Sequence, residues 1–108
     1  MSYIFIVASA GAMIEIRETD EFKKWIKSLR DSIAKARIVS RIQRLRFGNP
    51  GDVKPVGKGV SEMRIDHGPG YRVYWVNRGD RIIVLLCGGD KSTQQSDIDR
   101  ALQLADEL

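Results

Sequence analysis

Apolar positions change period several times along the chain, and each change marks an element. Residues 13–17 alternate Ile14 and Ile16 with Glu15 and Arg17, the period of a half-buried strand. The period then lengthens. Phe22, Trp25, Ile26 and Leu29 fall at helical spacing and form one stripe, while Lys23, Lys24 and Lys27 stay in water. Thr19 stands where a cap is needed, and Asp20 and Glu21 lie at the positive end of the helix dipole. Asp31 or Ser32 breaks this helix and caps a second one running to about Arg46, with Ala34, Ile38, Ile42 and Leu45 as its apolar line. So short a joint predicts an antiparallel helical hairpin. Gly48-Asn49-Pro50-Gly51 stops the second helix, because Pro50 restricts the residue before it and the glycines permit left-handed geometry. Residues 52–59 are predicted as a loop pinned by Pro55.

Alternation returns at Val60. Ser61, Met63 and Ile65 share one face and Glu62, Arg64 and Asp66 the other. After His67-Gly68-Pro69-Gly70, Tyr71, Val73 and Trp75 oppose Arg72, Tyr74 and Val76. A turn at Asn77-Arg78-Gly79-Asp80 leads into residues 82–87, which are apolar on both faces and read as a central strand. Gly88-Gly89-Asp90-Lys91 ends that strand. Ser92 with Gln95 matches a capping box, with Ser96 a competing cap, for a last helix whose face is Ile98, Ala101, Leu102 and Ala105. That face either closes the core or docks on a partner. The predicted order is β-α-α-β-β-β with a C-terminal helix: an α+β fold in which a two-helix hairpin packs on a small, mainly antiparallel twisted sheet. Residues 13–108 form its single domain. Residues 1–12 are an N-terminal extension, read as an added strand through residues 3–7, an upstream start or a tail.

At 108 residues the chain fits one domain with one modest core. The net charge of +4 conceals a basic stretch between Glu21 and Arg81, where Lys and Arg outnumber Asp and Glu more than two to one. Such a field favours a polyanionic partner, nucleic acid or an acidic protein. One cysteine makes no internal disulfide, and no Cys/His cluster has metal-ligand spacing, so neither metal nor cofactor is expected. The opening apolar run lacks a basic flank and is too short to span a bilayer, which leaves the cytoplasm as the expected compartment and no membrane partner.

Phosphate-loop, zincin, nucleophile-elbow and Cys-x-x-Cys motifs are all absent. What remains is a basic constellation. Arg64 and Arg72 lie on strands joined by a hairpin and become cross-strand neighbours if their faces coincide; Lys91 follows the third strand, and Lys54, Lys58 and His67 lie in flanking loops. Positive groups at adjacent strand ends can hold a phosphate and stabilise a pentacoordinate transition state. His67, whose usual pKa is near neutrality, can exchange a proton, or it is simply a turn residue. Arg37, Arg41 and Arg44 form a line on the second helix, either a solvated face or a surface for phosphates. Trp25, Trp75 and Cys87 read as core, against stacking rings and a nucleophile.

Three segments, IEIRETDEFKKWIKSLRD, RIQRLRFGNPGDVKPVGKGVSEMRIDHGPGYRVYW and RIIVLLCGGDKSTQQSDI, together resemble the RelE/ParE superfamily of toxins, in particular its HigB-like addiction module killer branch. The resemblance covers almost everything from Met13 onward. It implies a RelE/ParE-like fold and a toxin of a type II toxin–antitoxin module: a metal-independent, ribosome-dependent mRNA endoribonuclease that arrests translation. It also implies a cognate antitoxin, commonly a helix-turn-helix protein, with the ribosome and mRNA as further partners. By position, Arg64 resembles the basic residue of the first hairpin strand, Arg72 the arginine of the Gly-Tyr-Arg segment, and Lys91 the basic position after the last strand. With His67 these are the candidate catalytic set; Lys54, Lys58, Arg37, Arg41 and Arg44, read from their charge and placement, are the candidate RNA contacts. The late catalytic tyrosine of several ribosome-dependent nucleases has no counterpart, since residues 92–98 contain no aromatic ring. His67, or Asp90 beside Lys91, is left as its substitute. ParE-like relatives inhibit DNA gyrase without cutting RNA, and a non-toxic relative that binds an antitoxin or nucleic acid is a third reading.

Overall fold

The computed structural model describes residues 13–108. The expected N-terminal extension, including a strand through residues 3–7, lies outside the described residues. Strand β1 (Glu15–Glu18) leads into α1 (Asp20–Ser28) and α2 (Ser32–Arg46), followed by β2 (Val53–Gly57), β3 (Val60–Ile65), β4 (Tyr71–Asn77) and β5 (Ile82–Asp90). A 3₁₀ turn (Lys91–Thr93) and α3 (Gln94–Asp106) complete the chain. The five strands form one sheet in the order β1-β5-β4-β3-β2. β1 runs parallel to β5, and every other pairing is antiparallel.

The helical hairpin follows from its caps. Thr19 Oγ1 accepts from the Phe22 amide at 3.0 Å and starts α1. Asp31, rather than Ser32, starts α2, its carboxylate accepting from the amides of Ile33 and Ala34 at 3.0 Å each. Both apolar stripes turn to the same face of the sheet. Phe22, Ile38 and Leu45 meet Met63, Ile65, Val73, Trp75, Ile83 and Leu85 there, with Trp25, Ile26 and Ile42 packed against them. The opposite face is covered too. Ile98, Ala101, Leu102 and Ala105 of α3 lie on Val60, Tyr74, Val76, Val84, Leu86 and Cys87. β5 is therefore sandwiched between two helical layers, which is why residues 82–87 show no alternation.

Three expectations are corrected. Residues 53–57 are a strand and not a loop: β2 pairs with β3, setting Val53 opposite Met63 and Lys54 opposite Glu62. Pro55 is tolerated because β2 is an edge. Its two valines serve different faces, Val53 joining the hairpin-side core and Val56 the α3-side core, so no one-sided period marks the strand. The last helix also starts differently. Asp90 caps the 3₁₀ turn through the Ser92 amide at 2.8 Å, and α3 begins at Gln94, so neither Ser92 nor Ser96 is its cap.

Gly88 and Gly89 continue β5 instead of ending it. They are needed because something lies on each. A Cβ on Gly88 would stand 2.3 Å from the Trp25 ring, and one on Gly89 would stand 1.9 Å from Asp97 Oδ2. A register shift at Tyr74/Trp75 sets Tyr74 opposite Cys87 and Trp75 opposite Leu85, so consecutive Leu86 and Cys87 both reach the α3 side. Burial pushes the Cys87 thiol up to about 12, consistent with a packing role.

Candidate functional site

The β3–β4 register sets Arg64 directly across from Arg72, so the condition placed on their faces is met. Both lie at the end of the sheet where β5 passes into the 3₁₀ turn, since Tyr71 pairs with Asp90. Gly70 carries the join. At φ +80° it occupies the left-handed region, and an added Cβ would lie 3.2 Å from Arg72 Nη1 and 3.5 Å from the Lys91 Cβ. Its bare backbone thus lets the two basic residues close over it. The result is an open cleft of about 350 Å³ lined by Arg64, Arg72 and Lys91 together with Asp52, Ile65, Asp66 and Gly70.

Each cation is held differently. Arg64 donates to Asp52 Oδ1 through Nη2 at 2.7 Å and Nε at 3.2 Å, and this carboxylate raises the guanidinium further above its ordinary range. Arg72 is withdrawn, with its side chain 11% exposed. Its Nη1 donates to the Gly70 carbonyl at 2.7 Å, and its Nε lies 3.6 Å from Glu62 Oε2. Lys91 is exposed. The cleft therefore offers one anchored, one ion-paired and one solvent-facing cation.

The other expected site residues separate. His67 Nε2 lies 3.1 Å from Asp31 Oδ2, which ties the β3–β4 loop to the start of α2, and His67 does not line the cleft. Asp90, its alternative, is engaged as the cap of the 3₁₀ turn. Arg37, Arg41 and Arg44 line a second cleft of about 250 Å³ with Ser40, Ile65 and Asp66. The two clefts share Ile65 and Asp66 and are contiguous. Within that line Arg41 stands apart, donating to the carbonyls of Arg64 at 2.6 Å, Pro50 at 2.9 Å and Asp52 at 3.4 Å. Lys54 sits on the edge strand opposite Glu62. Lys58 lies beyond the other end of β3, 3.4 Å from Asp106, and is not brought to the cleft.

Sequence reasoning missed Asp52 and Glu62. Asp52 carried no signal, because its segment read as loop. Glu62 did carry one: it alternates in phase with Val60, on the face that α3 covers. It is fully buried, accepting on Oε2 from Tyr74 Oη and Gln94 Nε2 at 2.9 Å each. Burial first, then the Glu62 contact, raises the Tyr74 phenol.

A basic cleft at the end of a mixed sheet, with a helical hairpin on one face and a single helix on the other, defines a RelE-type fold. The structure of a double arginine-to-alanine mutant of the Escherichia coli toxin RelE in the free state superposes with a TM-score of 0.69 at 10% identity, covering 84% of this chain and 96% of that one. The solution structure of the conserved hypothetical protein HP0894 from Helicobacter pylori gives 0.47 at 22% identity, over 74% of this chain and 97% of that one. Residues 24–108 match the family described as "Phage derived protein Gp49-like (DUF891)", and the chain belongs to that family. An uncharacterized protein of Haemophilus influenzae strain Rd is 53% identical over 95 residues, 88% of this chain and 96% of the relative.

Proposed function

We propose that this protein is the toxin of a type II toxin–antitoxin module and acts as a metal-independent endoribonuclease on mRNA at the ribosome. The observation that carries the reading is the cross-strand placement of Arg64 and Arg72, with Lys91 beside them, in one open cleft. RNA supplies its own nucleophile. Attack of a 2′-hydroxyl on the adjacent phosphorus forms a cyclic phosphate and expels the 5′-oxygen of the next nucleotide. The proton leaves the 2′-oxygen and one is returned to the 5′-oxygen, and the phosphoryl oxygens gain charge in between. Three cations near that phosphorus stabilise this charge, and loss of one such donor typically costs about 10²–10³ in rate. Lys91, the most exposed, is placed to accompany the leaving oxygen.

The contiguous cleft with Arg37 and Arg44 extends the positive surface along α2 and suits the phosphates of flanking nucleotides. Arg41 adds charge there while its donors serve the backbone. Lys54 is a more remote contact. An antitoxin has a matching surface: α2 carries no acidic residue, and Ile33, Val39 and Phe47 are exposed on and just beyond it, at 59%, 45% and 64%. Such a surface suits an acidic, amphipathic segment. Among the described residues no helix is long and apolar enough to cross a membrane.

The test is inducible expression of the wild type and of Arg72→Ala, with mRNA ends mapped across the transcriptome. Growth arrest with message cleavage that falls about 10²–10³-fold in the variant, and that co-expression of the adjacent reading frame relieves, is the expected result. Arrest with intact message and damaged or abnormally supercoiled DNA would transfer the protein to the gyrase inhibitors. Absence of toxicity would leave a binding protein.

A further inference from the structure

Glu62 is the one carboxylate completely buried in the described part of the chain, and nothing in the proposed reaction uses it. It lies behind the cleft, under α3. Its Oε2 gathers Tyr74 from β4, Gln94 from the start of α3, and the Nε edge of Arg72. Its Oε1 and Arg72 Nε are both buried without a hydrogen-bond partner among the described residues.

Removing a carboxylate from water is costly, and a buried ion pair seldom repays the cost in stability; an apolar pair of the same volume often does as well. The packing of α3 on Val60, Tyr74 and Leu86 does not require a negative charge there. Tyr74 and Gln94 are neutral donors that would serve a glutamine carbonyl equally well. Of the three partners only Arg72 distinguishes a carboxylate from an amide. With Nη1 committed to the Gly70 carbonyl and Nε turned to Glu62, Nη2 is the donor group of Arg72 with neither contact.

We propose that Glu62 is a positioning residue for Arg72. Its carboxylate, oriented by Tyr74 and Gln94, holds the Nε edge of the guanidinium so that the remaining donors stay fixed in the cleft where a phosphate is bound. Glu62 touches no substrate and acts only through Arg72. The inference rests on the phosphate-handling reading of the cleft for its consequence, but not for the pairing itself.

Two measurements separate these. In purified, isotopically labelled protein, the Nε–H resonance of Arg72, identified by its loss in Arg72→Ala, is expected to shift in Glu62→Gln. That readout does not depend on RNA cleavage. In single-turnover cleavage of message on translating ribosomes, Glu62→Gln is expected to lower the saturating rate about 10- to 100-fold while leaving the half-saturating concentration within about twofold, the signature of an interaction made in the transition state. The double variant Glu62→Gln/Arg72→Ala should cleave no more slowly than Arg72→Ala alone. Should Glu62→Gln fold poorly, Tyr74→Phe, which removes one orienting bond, is expected to move both readouts the same way by a smaller amount. An unmoved Nε–H resonance overturns the proposal, as does a double variant much slower than Arg72→Ala. A moved resonance in a protein that cleaves no RNA keeps the pairing and overturns the nuclease.

Discussion

Replacing Arg41 by alanine tests whether a residue of the arginine line is structural. Its guanidinium bridges three backbone carbonyls from two segments: Pro50 and Asp52 after α2, and Arg64 in β3. Burial lowers the Arg41 pKa despite the nearby Asp52, as a cation drawn in from water requires. A hydrogen bond from a charged donor contributes about 1.5–3 kcal/mol net. The bonds at 2.6 and 2.9 Å have good geometry and the one at 3.4 Å is marginal. Because the site is half open, water replaces part of what is lost, so we expect a loss of about 2 kcal/mol. For a domain of this size that lowers the melting temperature by roughly 8–16 °C. Arg41→Lys should recover less than half, since a lysine cannot fork across separate acceptors. The acceptors are carbonyls, so the loss should persist in high salt, where a surface ion pair would be screened. Urea unfolding at low and high ionic strength provides the measurement, with Arg37→Ala and Arg44→Ala, each expected to cost less than about 0.5 kcal/mol, as controls. A loss for Arg41→Ala no larger than those controls, or a lysine variant as stable as the wild type, would refute the reasoning.

Gly88→Ala should destabilise by about 1–3 kcal/mol, because the new methyl must displace the Trp25 ring from 2.3 Å, far inside contact distance. Thermal unfolding followed by tryptophan fluorescence tests it, and combining the change with Trp25→Leu should restore part of the loss; a neutral Gly88→Ala would contradict the packing. Asp31 supplies a pH dependence of definite sign. The Ala34 amide, and after it His67, hold its carboxyl below the ordinary range, so its contribution is present above roughly pH 4, the unfolded value, and is lost as pH falls through the lower folded value. Asp97 has the opposite sign, because burial raises it and its ionisation opposes folding as pH rises. The comparison of wild type with Asp31→Asn isolates the first group. Their stability difference should shrink between pH 6 and about 2, and a difference constant over that interval would count against the Asp31 assignment.

Much of this architecture was legible in the chain because its signals are local. The stripes of Phe22, Trp25, Ile26 and of Ala34, Ile38, Leu45, the cap at Thr19, and the alternation through residues 60–76 depend on neighbours within a few positions. They fixed four strands and both hairpin helices, and set Arg64 and Arg72 on strands joined by a hairpin; the register that pairs the two came only with the structure. The β2 strand was not legible, since Val53 and Val56 serve opposite cores and Pro55 imitates a loop. Nor was the start of α3, where Ser92 and Ser96 offered comparable caps and Asp90 made the bond to the Ser92 amide.

What only the tertiary structure decided concerns what each side chain meets. One sequence pattern, Val60-x-Glu62-x-Arg64, describes an exposed polar face if one helical layer covers the sheet and a buried one if two do; α3 buries Val60 and Glu62, while Arg64 stays partly exposed at the cleft. Glu62 is consequently an interior carboxylate behind Arg72 and not a surface partner of Arg64, which pairs with Asp52 instead. Likewise Arg37, Arg41 and Arg44 are equivalent by spacing, yet only Arg41 is shown binding backbone carbonyls, because the Pro50–Asp52 turn folds beneath it. Periodicity records which way a residue points. What covers that face is set by segments distant in sequence, and in this protein that distinction separates the cations free to meet an anion from those that hold the cleft together.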